Sequence, residues 1–64
     1  MTVETIHESL VNGQRQQMVS QIDEYGVYEF WAEYRAYLGC LYSLFGIDKY
    51  FTDAVISYFR IKGR

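Results

Sequence analysis

Between Val27 and Phe45, large apolar residues recur at intervals of one, three and four: Val27, Phe30, Trp31, Tyr34, Tyr37, Leu38, Leu41, Leu44 and Phe45. Side chains three and four positions apart share one face of an α-helix, whereas a strand would scatter them over both faces. This stripe predicts a long helix over residues 27–45 and excludes a sheet as the organising element. The back of the same helix is a strip of small residues, Ala32, Ala36, Gly39, Cys40 and Ser43, flanked by Glu29 and Glu33. Small side chains let another backbone approach closely, so this strip is expected to be a second helix-packing surface.

The remainder of the chain reads as shorter helices. Thr2 can cap a first helix over about Val3 to Val11, and Thr5 with Glu8 forms an alternative capping-box pattern. Val3, Ile6 and Leu10 form its apolar face. A second segment, about Gln14 to Tyr25, carries Met18, Ile22 and Tyr25 at helical spacing. In one straight helix these two faces would be offset by roughly 90°. A break at Asn12-Gly13 removes the conflict, one continuous helix being the alternative. Gly26 and Gly46 each follow an apolar-periodic run, where a left-handed residue often ends a helix. Asp48 then suggests a cap for a fourth helix over about Lys49 to Ile61, with Tyr50, Phe51, Ala54, Val55, Tyr58 and Phe59 as its core stripe. The expected fold is all-α, a compact bundle of three or four short helices in a single domain, residues 1–64.

A chain of 64 residues is small for one core, and Cys40 is its only cysteine and His7 its only histidine. A disulfide staple and an all-Cys/His zinc site are therefore both excluded. Dense packing or self-association is what such a scaffold has left. Half of the residues are hydrophobic and 19% are aromatic, with seven tyrosines, four phenylalanines and one tryptophan. A single core of this size is not expected to hide all of those rings. Tyr28 and Ile56 project away from the principal stripes and Tyr42 lies at the edge of one, so these three are candidates for an apolar interface. Tyrosine suits that role because it covers much area while its hydroxyl stays satisfied.

The net charge of −2 is too small to predict attraction to nucleic acid or a DNA-mimicking acidic surface. It is unevenly distributed. Residues 1–33 carry six acids and one base, net −5, and residues 34–64 carry two acids and five bases, net +3. Glu29, Glu33 and Arg60 are expected to contribute charge to a protein-binding surface. Arg60, Lys62 and Arg64 could neutralise phosphates, which keeps a nucleic-acid-associated regulator as the runner-up reading. No helix carries the basic face that a recognition helix needs, so nucleic acid is the less favoured partner.

Catalysis is not expected. His7 has no serine or cysteine at a recognised spacing, and Gly39 and Leu41 give Cys40 no neighbouring positive charge that would activate a thiolate. Glu29 and Glu33 lack an accompanying Glu-x-x-His motif, so they read as a solvated face and not a metal site. No cofactor is expected. The amino terminus is polar and acidic, unlike a secretory signal, and the longest uncharged stretch, Ala36 to Ile47, is short of the roughly 20 residues that span a bilayer. A lone cysteine fits a reducing, cytoplasmic setting.

The segments Asn12-Gly13-Gln14-Arg15-Gln16-Gln17-Met18, Gln21-Ile22-Asp23-Glu24-Tyr25-Gly26 and Ala54-Val55-Ile56-Ser57-Tyr58-Phe59-Arg60-Ile61-Lys62-Gly63-Arg64 together resemble small accessory proteins encoded by bacteriophages. The resemblance spans most of the chain and contains no motif diagnostic of an activity. It implies a role in the host cytoplasm, binding a bacterial host protein and inhibiting or redirecting it, for example an antiviral defence component such as a CRISPR effector. The combined expectation is a protein-binding protein, an inhibitor or adaptor, that also forms a homo-oligomer such as a dimer. A structural subunit of a larger assembly is a further alternative.

Overall fold

Four α-helices follow one another in a computed structural model that describes residues 1–41 and 44–63, with side chains in the last segment from Lys49 onward: α1 Val3–Val11, α2 Arg15–Tyr25, α3 Val27–Leu41 and α4 Leu44–Lys62. The all-α expectation holds, and among the described residues there is no strand.

Local chemistry sets the first two breaks. Thr2 caps α1, its Oγ1 accepting the Thr5 backbone N–H at 3.2 Å. α1 ends in a Schellman motif: Gly13 N–H donates to the Leu10 carbonyl at 3.1 Å and Gln14 N–H to the Ser9 carbonyl at 2.8 Å. Gly13 occupies the left-handed position with φ of 82°. The break at Asn12-Gly13 is therefore real, and residues 3–25 form two helices.

Gly26 does more than end α2. Its N–H donates to the Ile22 carbonyl at 3.0 Å, while its own carbonyl accepts from Phe30 N at 2.8 Å. One residue thus closes α2 and opens α3, at φ 112° and ψ 121°, a conformation open essentially to glycine alone.

The third break corrects the sequence reading. Gly46 and Asp48 do not separate α3 from α4; both lie inside α4, which already begins at Leu44. α3 ends at Leu41 and not at Phe45. A glycine followed two residues later by an aspartate imitates a stop and a start, but helical hydrogen bonding runs through both.

The core is drawn from all four helices. Ile6, Met18, Ile22, Phe30, Leu38 and Ala54 are fully buried, with Val3, Leu10, Val19, Tyr34 and Tyr58 beside them. Much of it is aromatic. Phe30 stacks on Tyr34 with centroids 4.8 Å apart, and Trp31 meets Phe51 edge-on at 5.4 Å and Tyr58 at 5.9 Å. Such pairs add about 0.5–1.5 kcal/mol each beyond area burial. The radius of gyration, 10.8 Å, is what a compact chain of this length should have, about 11 Å. The fold therefore absorbs most of the described rings. Tyr28 and Phe59 are the aromatic residues left exposed among the described side chains.

Candidate interaction surfaces

Among the described residues, α4 and α3 each present an outward face with apolar content. On α4, the inward face carries Ala54, Ser57 and Tyr58. The outward face carries Lys49, Thr52, Ile56, Phe59 and Arg60, all exposed. Ile56 keeps 48% of its surface exposed and Phe59 60%. Phe59 is a correction, since the stripe reading places it in the core. The stripe Tyr50, Phe51, Ala54, Val55, Tyr58, Phe59 is wider than the face α4 buries, and Phe59 falls off its edge.

Beside Ile56, α2 and α4 border a groove of about 290 Å³, lined by Arg15, Asp53, Ile56, Ser57, Arg60 and Ile61. A guanidinium N–H of Arg15 donates to the buried Ser57 hydroxyl, which ties the start of α2 to the last turns of α4. Arg60 makes no hydrogen bond or ion pair with the described residues beyond the helix backbone, and its side chain is exposed at the groove. The groove therefore offers two cations, one carboxylate and an apolar floor. Arg15 and Ser57 are not singled out by the sequence reading. Arg15 carries a signal, as the single base of an acidic half; Ser57 carries none.

The chain's charge asymmetry does not survive as two opposed ends. Lys62 Nζ lies 3.0 Å from Asp23 Oδ2, and the Tyr58 hydroxyl donates to Asp23 Oδ1 at 3.2 Å. The acid-rich and base-rich halves meet there. The hydrogen bond and charge of Asp23 raise the Lys62 pKa; burial, then the Asp23 bond, raise that of Tyr58. Of the C-terminal basic cluster, Lys62 is already paired, Arg60 lines the groove together with Asp53, and Arg64 lies outside the described residues.

On α3, Tyr28 is 88% exposed, more than any other large apolar side chain described, and Glu29 and Glu33 are exposed nearby. Glu33 accepts a hydrogen bond from the Tyr25 hydroxyl, which raises the tyrosine pKa. The small-residue strip is exposed as well: Ala32, Ala36, Gly39 and Cys40 face outward, and a Cβ added at Gly39 would meet nothing within 4 Å. Within one chain α3 is thus packed on one side, and Cys40 is not buried in the strip, as a second packing surface would require. Tyr42 and Ser43, also named from sequence, lie outside the described residues. A second, shallow concavity of about 450 Å³ runs beside the strip, with Met1, Val3, Tyr25, Glu33, Ala36 and Cys40 among its walls.

His7 belongs to neither surface. It is buried, with Nδ1 2.9 Å from the Tyr34 hydroxyl, and its ring packs edge-on against Tyr37 and Tyr50 at 5.4 Å. Among the described residues no group of three His, Cys, Asp or Glu side chains could hold a metal ion, and no helix is long and apolar enough to cross a membrane. No protein-family model, curated protein or solved structure matches the chain.

Proposed function

We propose that this protein is a small binding module, not an enzyme, that engages a protein partner through the outward face of α4. The observation that carries this reading is the exposure of Ile56 and Phe59 on adjacent turns, beside a groove walled by Arg15 and Arg60. A folded chain that buries most of its described rings has no internal use for an exposed phenylalanine next to an exposed isoleucine. Apolar anchors bordered by arginine are what protein interfaces concentrate. A protein surface suits this face better than nucleic acid, because Asp53 would repel phosphates and Lys62 is engaged by Asp23. The chain's resemblance to small phage accessory proteins gives the partner class: a bacterial host protein in the cytoplasm, bound stoichiometrically and thereby inhibited or recruited.

The test uses three immobilised baits in bacterial lysate: the native protein, Ile56→Glu/Phe59→Glu, and Gln17→Glu as a control on exposed α2. A host protein retained by the native and control baits and lost from the double variant is expected. Equal retention by all three would sink the assignment to α4.

A further inference from the structure

The binding reading gives the α4 face a host partner and leaves open what covers that face in the free protein, and the α3 face supplies an answer. We infer that the outward face of α4 receives the outward face of α3 from a second copy of this chain. The inference rests on the reading of α4 as a binding face and names its occupant when no host protein is bound, the two occupants excluding one another.

Register and charge both point to this occupant. Side chains on a helix advance by about 100° and 1.5 Å per residue. When α3 of one copy is laid antiparallel on α4 of another with Glu29 opposite Arg60, Tyr28 comes opposite Phe59 on the other side of the same seam. The following turns then set Ala32 and Ala36 against Ile56 and Thr52. All eight residues are exposed in the single chain. One register therefore pairs an acid with a base, a ring with a ring, and an exposed isoleucine with two alanines that leave it room. Antiparallel packing also puts the α3 N-terminus beside the α4 C-terminus, where opposite helix-dipole ends attract. Glu29 beside Tyr28 thus supplies the acid that matches Arg60 beside Phe59. Glu29, opposite Arg60, would lie at the mouth of the Arg15/Arg60 groove, with Tyr28 across the seam over Phe59.

Each copy carries both faces. A closed pair forms two such seams and an open arrangement repeats one seam per copy. A single helix seam falls short of the roughly 800 Å² per partner typical of stable complexes, so a closed pair with two seams is expected.

The experiment is sedimentation equilibrium of the full chain under reducing conditions, which keeps the exposed Cys40 from cross-linking. Folding of each variant is checked by circular dichroism. The native protein should self-associate, and Arg60→Glu and Glu29→Arg should each weaken association by about tenfold or more through like-charge contact. Mixing those two variants in equal amounts should restore association, because a seam between the two different variants again sets an acid against a base, with the signs exchanged or native. Tyr28→Ala, on an almost fully exposed side chain, should weaken association without lowering the melting temperature measured at concentrations where both proteins are monomeric. A native protein that stays monomeric to roughly 1 mM, at the weak end of the affinity scale, overturns the inference. So does a mixture that associates no better than either variant alone. A monomer that still loses its host partner on Ile56→Glu/Phe59→Glu would leave the binding function standing and remove only the second copy as occupant.

Discussion

Nδ1 of His7, on α1, lies 2.9 Å from the hydroxyl of Tyr34, on α3, and both side chains are buried. This contact pins the first helix to the helix that carries most of the aromatic core. Burial favours neutral imidazole and lowers the His7 pKa below its ordinary 6.5, against a smaller opposing pull from Glu8. A lowered native value means that the unfolded chain binds protons first as pH falls. The stabilising contribution is therefore complete above about pH 6.5 and is lost as pH drops through the depressed native value. Thermal melts at pH 7.5 and 5.5 should show a lower melting temperature at the acidic pH. His7→Gln should flatten that difference, and an undiminished pH dependence in this variant would place the titration elsewhere.

Removing the Tyr34 hydroxyl separates the hydrogen bond from the packing. Tyr34→Phe should cost about 1 kcal/mol, the net worth of one such bond. Tyr34→Ala should cost about 3–5 kcal/mol, because it also empties a site stacked against Phe30. Urea titration of both variants gives the comparison; equal losses would mean that the ring contributes nothing beyond its hydroxyl.

Two glycines should respond to alanine in opposite directions. At Gly13 nothing crowds an added methyl group, but φ is 82°, so Gly13→Ala should destabilise by about 1–2 kcal/mol through backbone strain alone. Gly39 is helical, exposed and open, so Gly39→Ala should stabilise by about 0.5–1 kcal/mol. Melting temperatures that move the same way in both variants would contradict the assigned backbone conformations.

The Asp23–Lys62 pair joins the acidic and basic halves but is substantially exposed. Solvent screens such a pair, so Lys62→Ala should leave the denaturation midpoint close to that of the native protein. Ile22→Ala, at the residue preceding Asp23 but fully buried, should cost about 2–5 kcal/mol. Chemical denaturation that ranks the two in reverse order would show that the exposed pair, and not the core, holds α2 on α4.

The residues that are legible from sequence and those that are not differ in the range of the forces placing them. Thr2, Asn12-Gly13 and Gly26 act on backbone groups within four residues, so their pattern can be read directly. The outward placement of Tyr28 and Ile56 follows from helical spacing alone. Gly46 and Asp48 carry equally good local signals, yet helical hydrogen bonding runs through them, and Leu44 marks the start of α4 instead. The Phe59 position depends on how wide a face α4 buries, which is a property of the neighbouring helices and not of α4. Arg15–Ser57, Asp23–Lys62 and His7–Tyr34 join residues 42, 39 and 27 positions apart, and no periodicity announces such partners.

The single-residue joint at Gly26 has a consequence for how Tyr28 and Glu29 meet anything. They stand on the first turn of α3, two and three residues beyond a corner with no loop to reorganise. An incoming surface encounters a shape already fixed by folding, so little ordering entropy is lost on contact. Differences in affinity among occupants of this corner should then appear as differences in how long they stay, while arrival rates remain similar.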